Sequence, residues 1–141
     1  MKKVVIVYWS GSGNTKMMAE AIESGAKEAG ADVKLFEVSE ASVADVENAD
    51  VAVLGCPSMG AEVLEEDVME PFVESLDGHV GGKDMALFGS YGWGNGEWMD
   101  DWNERMEGYG ASLIADSLII NETPDDDGIE QCKELGKAVS A

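Results

Sequence analysis

The chain has 141 residues, 45% of them hydrophobic, and it carries 29 acidic against nine basic residues, a formal net charge of −20. This length and apolar content predict one packed domain over residues 1–141 and exclude a disordered protein. So large a negative charge repels nucleic acid and anionic membranes, and it favours a basic protein surface as partner.

The first half of the chain alternates apolar runs with helical spacings. Residues 3–8 form a continuous apolar run typical of a strand buried on both faces of a parallel sheet. Residues 15–30 predict a helix that Gly30 ends. Residues 32–38 predict a second strand nearer the sheet edge, residues 39–47 a short connector, and residues 50–55 a third, buried strand.

The second half continues the same alternation. Residues 56–66 predict a loop, residues 66–76 an amphipathic helix that Pro71 starts or kinks, and residues 84–89 a fourth strand. After a glycine-rich loop at 90–96, residues 97–107 predict a helix whose Trp98 and Trp102 face the core. Residues 111–120 predict a last strand interrupted at 116–117. Thr123 as N-cap with Pro124 at the first helical position predicts a final helix ending near residue 139.

Five strands alternating with helices predict an α/β fold, a doubly wound five-stranded parallel sheet with helices on both faces. In such sheets, ligands bind beyond the C-terminal strand ends at the topological switch point. Three loops are expected at that edge, over residues 10–15, 56–62 and 90–96. The sequence therefore predicts a ligand site there.

The first of these loops, residues 8–15 (Tyr-Trp-Ser-Gly-Ser-Gly-Asn-Thr), indicates a phosphate site between a strand and a helix. Small residues let backbone amides converge, and the helix N-terminus adds partial positive charge. The string matches neither a Walker loop nor a dinucleotide fingerprint, because Lys16 stands where the latter needs its third glycine. Taken alone, the loop is equally consistent with a solvated turn capped by Asn14 or Ser12.

The other two loops indicate a flat ring. Tyr91 and Trp93 lie among glycines, where an aromatic side chain is poorly placed for a core and well placed to stack, although it could also fold back over a helix. Met59 could cover a ring face, Gly60 permits a movable peptide, and Glu62 could accept a hydrogen bond from a ring N–H. A terminal phosphate joined to a planar, imide-bearing ring fits flavin mononucleotide (FMN).

Three segments, residues 8–15, 55–62 (Gly-Cys-Pro-Ser-Met-Gly-Ala-Glu) and 88–94 (Phe-Gly-Ser-Tyr-Gly-Trp-Gly), resemble the FMN-binding segments of short-chain flavodoxins of the clostridial and rumen-bacterial type. The resemblance covers essentially the whole chain and implies the sheet order 2-1-3-4-5. It also implies a cofactor site made of three groups of residues: Trp9, Ser10, Gly11, Ser12, Gly13, Asn14 and Thr15 around the phosphate; Pro57, Ser58, Met59, Gly60, Ala61 and Glu62 around the ring; and Ser90, Tyr91, Gly92, Trp93 and Gly94 at the ring and its pyrimidine end.

The same resemblance implies a function. Trp93 would stack on the outer ring face, Met59 on the inner face, and the Gly60–Ala61 peptide would flip to stabilise the neutral semiquinone. The chain would then be a low-potential one-electron carrier, not an enzyme, that shuttles between semiquinone and hydroquinone in place of ferredoxin. Two departures from the family pattern are Ser12, where threonine is usual, and Ala61, where some relatives carry Asp or Ser.

Further expectations concern partners and location. The expected partners are ferredoxin- or flavodoxin-dependent oxidoreductases, which would bind through basic docking faces. The protein is expected to be a monomer and to bind neither nucleic acid nor a membrane. The short apolar run near the N-terminus is too brief for a signal peptide or a membrane span, which predicts a cytoplasmic protein. Cys56 and Cys132 are expected as reduced thiols and His79 as a surface residue, with no metal site.

Three other functions compete with this one. An FMN-dependent NAD(P)H reductase needs space over the ring, which Met59 and Trp93 are expected to cover. A phospho-receiver domain needs an acidic pair after the first strand, where this chain has Trp9 and Ser10. A purely structural interaction module would bind no flavin.

Overall fold

A computed structural model describes residues 2–60 and 62–141, and within them strands and helices alternate along the chain. The strands are β1 Lys3–Tyr8, β2 Asp32–Glu37, β3 Val51–Gly55, β4 Asp84–Tyr91, β5 Ser112–Leu113 and β6 Leu118–Asn121. The helices are α1 Asn14–Glu28, α2 Val43–Asn48, α3 Met69–Ser75, α4 Glu97–Gly108 and α5 Asp126–Val139, with a 3₁₀ turn at Val38–Glu40.

The sheet is parallel and has the order β2-β1-β3-β4-β5, with β6 also paired to β4. β5 pairs with the start of β4 and β6 with its end, so the two short strands share the fifth position. This confirms the predicted α/β class, the order 2-1-3-4-5 and the interruption of the last strand. The second strand lies at the sheet edge, as its alternating pattern predicted.

Successive side chains of the central strands pack into two separate hydrophobic cores, one on each face of the sheet. On one face Val4 and Ile6 pack with the apolar sides of α1 and α5. On the other face Val5 and Val7 pack with α3 and α4, including the fully buried Trp98. Because side chains alternate along a strand and both faces are covered, β1 is almost entirely apolar, as a parallel central strand must be.

Helices α1 and α5 lie in close contact because glycines stand where they meet. A Cβ at Gly25 of α1 would overlap the backbone of Lys133, and one at Gly136 of α5 would overlap the backbone of Ile22. The tight contact fixes α1, and with it the loop that precedes α1, on the sheet.

Several element boundaries differ from the prediction. Asp125, not Thr123, caps α5, since its side chain accepts the Gly128 amide at 2.8 Å, so Pro124 lies before the helix. β4 continues through Tyr91 because pairing with β6 extends it. Pro71 lies in the first turn of α3, where its missing N–H has no helical partner to lose, which confirms the helix start.

Candidate functional site

The loop between β1 and α1 folds around the hydroxyl of Ser10. Ser10 Oγ accepts the amides of Gly13 and Lys16, both at 3.2 Å. The residue that caps α1 is Gly13, at φ +99°, and no side chain caps the helix there. Neither Asn14 nor Ser12 is therefore the N-cap of α1, although Ser12 Oγ accepts the Asn14 amide at 3.5 Å. Glycine is favoured at the cap because an L side chain is strained at this φ.

Donors in this loop remain available to a ligand. Among the described residues, the amides of Gly11, Ser12 and Thr15 have no protein hydrogen-bond partner. They stand at the N-terminus of a 15-residue helix, where the helix dipole favours an anion. The loop at residues 9–13 holds no lysine or arginine, and Lys16, in the first turn of α1, is exposed. The arrangement suits a phosphate held by amides and hydroxyls.

Side chains tie this loop to its neighbours. The hydroxyls of Thr15 and Ser90, both buried, lie 2.8 Å apart and share a hydrogen bond. Ser90 also accepts the Ser58 amide on its carbonyl at 3.0 Å, so this one residue contacts both other loops. On the solvent side, Thr123 Oγ1 donates to Asn14 Oδ1 at 3.1 Å.

The second loop narrows to a turn closed by a reciprocal pair. The Met59 amide donates to the Val63 carbonyl at 2.9 Å, and the Val63 amide donates to the Met59 carbonyl at 3.1 Å. Between them Gly60 has φ +34° and Glu62 has φ +55°. A non-glycine residue in the left-handed region is uncommon and strained, and such residues concentrate at functional sites. Ala61 lies outside the described residues.

Glu62 has a buried acceptor with no partner. Its Oε1 atom is shielded from solvent and makes no hydrogen bond to the described protein. The carboxylate packs on Gly94 of the third loop, where a Cβ would overlap it. A buried unpaired carboxylate oxygen is costly, so a ring N–H donor is the group that would fit it. The expected contact of Glu62 with a ring N–H stays a prediction.

The third loop is shorter than predicted and begins at Gly92, because Ser90 and Tyr91 end β4. The Tyr91 ring packs on Trp98 with centroids 5.6 Å apart, so this aromatic follows the alternative of folding back on a helix. Trp93 does not, and 64% of it is exposed. An exposed tryptophan at this edge is free to stack on a ligand.

A cleft of about 300 Å³ lies where the three loops meet. Ten of the predicted site residues line it: Trp9, Gly11, Ser12, Asn14, Pro57, Ser58, Met59, Ser90, Tyr91 and Gly92. Ser10, Gly13 and Thr15 lie behind this lining and hold it by the bonds described above. Gly60, Glu62, Trp93 and Gly94 lie beyond it, with the last two in the third loop and Glu62 facing a smaller cavity of about 120 Å³ beside α4.

One lining residue was absent from the prediction. Glu122 follows β6 and lines the same cleft. Its position after the last strand puts it at the ligand edge, and that rule could have indicated it. Another depression, of about 180 Å³ along β1, β2 and α2, is lined by Lys3, Lys34, Asp32 and Asp45 and brings no loop amides together.

The second loop is anchored at its far end by Glu65. This buried carboxylate accepts the amides of Asp67, Val68 and Met69 at 2.7–2.9 Å and thereby caps α3. Burial alone would raise the pKa of Glu65, but the three amide donors outweigh it and lower the pKa. The Glu65 amide in turn lies 3.4 Å from Cys56 Sγ.

Both cysteines are free and buried, as expected. Burial raises the pKa of Cys56 to about 12, and burial likewise raises the pKa of Cys132 to about 12.

His79 is on the surface and lies 3.1 Å from Glu47. Within residues 2–60 and 62–141, no His, Cys, Asp or Glu cluster could hold a metal ion. None of the helices in that part of the chain is long and apolar enough to cross a membrane.

Comparison with known proteins gives a consistent result. The family model described as Flavodoxin matches residues 6–136. A flavodoxin of Megasphaera elsdenii is 52% identical over 97% of this chain and 98% of its own, and one of Clostridium beijerinckii is 48% identical over 96% and 97%. The solution structure of two-electron reduced Megasphaera elsdenii flavodoxin superimposes with a TM-score of 0.90, covering 97% of this chain and 98% of its own.

Proposed function

The chain belongs to the flavodoxin family and is an FMN-binding electron carrier rather than an enzyme, and we propose that its three loops divide FMN between them. The observation that carries this proposal is the cleft where the three loops meet, because the unpartnered amides of Gly11 and Ser12 belong to residues that line it. The relatives favour neither a hydride-accepting reductase nor a phospho-receiver domain. We further propose that residues 1–141 form one FMN-binding domain.

The β1–α1 loop would hold the phosphate. The free amides of Gly11, Ser12 and Thr15 are available as donors, and the Ser10 and Ser12 hydroxyls add further hydrogen-bonding groups. Charge-assisted hydrogen bonds to a phosphate are stronger than neutral ones. The remaining predicted residues of this group, Trp9, Gly13 and Asn14, shape the turn.

The other two loops would hold the ring. Glu62 Oε1 would accept the ring N–H, which removes the cost of an unpaired buried acceptor. Trp93 would cover the outer face and Met59 the inner face. Pro57, Ser58, Ser90, Tyr91, Gly92 and Gly94 would complete the wall. The peptide after Gly60, expected to flip, involves Ala61 and so lies partly outside the described residues.

When bound, FMN supplies the one-electron chemistry, and the protein sets its potentials. A carboxylate beside the ring would oppose added negative charge, so Glu62 would lower the midpoint potential for the second electron. The net charge of −20 acts in the same direction. These two features favour a low-potential carrier that works in place of ferredoxin.

As a redox carrier the protein has oxidoreductase partners, and we propose that it meets their basic faces. Residues 35–82 contain no lysine or arginine, and residues 84–132 contain only Arg105. Arg105 is engaged by Glu70 in a two-pronged ion pair with N–O distances of 2.7 and 2.6 Å. The second loop, with Glu62 and Glu66, and the first turn of α4, with Glu97 and Asp100, therefore present almost uncompensated negative charge, which steers a basic partner. We also propose a monomer that works in the cytoplasm.

The experiment compares Glu62→Gln with Glu66→Gln in FMN-loaded protein by potentiometric titration. Both variants remove one negative charge, but Glu66 is exposed and lines neither the cleft nor the small cavity beside α4. We expect Glu62→Gln to raise the second midpoint potential distinctly more than Glu66→Gln. Equal shifts in the two variants would remove Glu62 from the ring site.

A further inference from the structure

Two buried side-chain polar atoms have no hydrogen-bond partner among the described residues, and they are complementary. One is the acceptor Glu62 Oε1, and the other is the donor Nε1 of Trp102 in α4. Both are shielded from solvent, so bulk water does not satisfy them. A buried indole N–H usually finds a partner, and an unpaired group of either kind is costly. A bond between the two residues would remove both costs at once.

The two residues also lie together. Glu62 and Trp102 line the same cavity of about 120 Å³ between the second loop and α4. The other charged side chains of its lining are Glu70, Asp101 and Arg105, and the two acidic ones offer no donor to a carboxylate. A donor for Glu62 within this lining must therefore come from Arg105 or from a tryptophan.

The remaining side-chain donors of the described lining are already in use. The indole N–H of Trp98 donates to a backbone carbonyl at 3.2 Å. Arg105 donates to Glu70 at 2.7 and 2.6 Å. Trp102 is thus the lining side chain whose donor is available to Glu62.

Glu62 is the partner that can adjust. Trp102 is 1% exposed and belongs to the core cluster under α4, so its ring is held by packing. Glu62 is half-buried, stands in a turn at φ +55°, and carries a longer side chain with several rotatable bonds. A modest change of its side-chain torsions moves the carboxylate within the cavity that it shares with the indole.

We propose that Trp102 is a positioning residue for the flavin ring: in the FMN-loaded protein its indole N–H donates to the Glu62 carboxylate that accepts the ring N–H. The inference rests on the proposed function. A carboxylate offers about four lone-pair sites, so it accepts both donors together. The bond to a fixed indole restrains the acceptor on a turn that one reciprocal pair closes, and a restrained acceptor binds with a smaller cost of ordering.

The first test is the indole region of the proton–nitrogen NMR spectrum of the oxidised, FMN-loaded protein. The chain has four tryptophans, and backbone assignment identifies the Trp102 signal among them. We expect Glu62→Gln to move this signal upfield, because a hydrogen bond to an amide oxygen is weaker than one to a carboxylate. Asp101→Asn removes the same charge from an exposed residue of the same cavity and should leave the signal in place. An unmoved signal in Glu62→Gln, or equal shifts in both variants, would overturn the inference.

The second test is a double-mutant cycle on FMN affinity, measured by the fluorescence of flavin released when the FMN-loaded protein is diluted. Trp102→Phe keeps an aromatic ring and removes the donor. We expect it to weaken FMN binding about tenfold in the wild-type background, and only about threefold in the Glu62→Gln background, where the bond is neutral. A purely structural role for Trp102 would give the same factor in both backgrounds, and that result would contradict the proposal.

The outcomes separate the inference from the function beneath it. If the wild-type protein retains no FMN, the proposed function fails and this inference falls with it. If FMN is retained and the Trp102 signal ignores Glu62→Gln, only the inference fails. The NMR comparison leaves Trp102 intact, so it decides the question even if Trp102→Phe does not fold.

Discussion

The phosphate end and the ring end of the site are built in opposite ways. At the phosphate end, Ser10, Thr15 and Asn14 each hold a neighbouring residue by a side-chain hydrogen bond, and α1 is locked on α5. At the ring end, the turn at 59–63 is closed by one reciprocal pair, Glu62 Oε1 has no partner among the residues that the structure describes, and Trp93 is mostly exposed.

The contrast suggests a division of labour. A preformed turn binds without a cost of ordering, so the phosphate end should supply most of the affinity. The ring end contains an unpaired acceptor and residues with positive φ, so its backbone can change conformation when the redox state of the bound flavin changes. Affinity and redox tuning would then reside in different loops, and the variants below test that separation from the largest expected effect to the smallest.

Removing the phosphate from the ligand tests the preformed end directly. Riboflavin lacks the group that the amides of Gly11, Ser12 and Thr15 would hold. With several charge-assisted hydrogen bonds lost, at about 1.5 kcal/mol or more each, we expect binding about 10³-fold weaker than that of FMN. Calorimetry on the FMN-free protein measures the ratio. A difference below tenfold would mean that the ring end dominates affinity.

Gly94→Ala probes the contact between the two ring loops. The new Cβ would overlap the Glu62 carboxylate, whereas Gly78→Ala adds a Cβ to open space at the same φ of +87°. We expect both to cost about 1–2 kcal/mol of stability through backbone strain. Only Gly94→Ala should also weaken FMN binding, by about tenfold or more, because it displaces the ring acceptor. Equal FMN affinities in the two variants would contradict that role for Glu62.

Glu65→Gln tests how the ring end is anchored. The variant keeps the shape but weakens three amide bonds, so we expect a loss of about 1–2 kcal/mol in the free energy of unfolding at pH 7. The pKa of Glu65 is lowered in the folded state, so its contribution is complete above the ordinary carboxylate pKa and is lost as pH falls through the folded-state value. Urea unfolding at a series of pH values should show the difference from wild type shrinking on acidification. A difference that stays constant with pH would argue against the capping role.

Trp93→Ala should have the smallest effect on the fold. Its ring is 64% exposed, whereas Trp98 is 1% exposed and donates from Nε1 to the Cys56 carbonyl at 3.2 Å. We expect Trp93→Ala to change the free energy of unfolding of the FMN-free protein by less than about 0.5 kcal/mol, and to weaken FMN binding about fivefold. Trp98→Phe should instead destabilise the protein. Loss of stability in Trp93→Ala would place that ring in the core.

The parallel sheet could be predicted from the sequence because the buried strands are continuous apolar runs that alternate with helical spacings, whereas the strand order was predicted from the resemblance to short-chain flavodoxins. The ends of the helices and strands could not be predicted in the same way. Asp125 rather than Thr123 caps α5, and β4 extends to Tyr91 only because β6 pairs with it, which is a tertiary effect.

The site was predictable as three loops on one edge, but not in its internal bonding. Nothing in the spacing indicates that Thr15 bonds Ser90 across the sheet. Glu122 follows the last strand, so the strand-end rule could have indicated its position, but its positive φ is not visible in the sequence. Ligand binding determines which residue types a motif contains, so motifs are visible in the sequence. Contacts such as Thr15–Ser90 depend on how distant segments of the chain pack together, and the sequence pattern does not show that.

Potentiometric titration of the FMN-loaded protein tests the central claim most directly. A one-electron carrier whose ring end is tuned by Glu62 should show two separate one-electron steps, the second at a clearly lower midpoint potential than the first. A single two-electron step would contradict that account and would point to a hydride-accepting flavoprotein on the same fold.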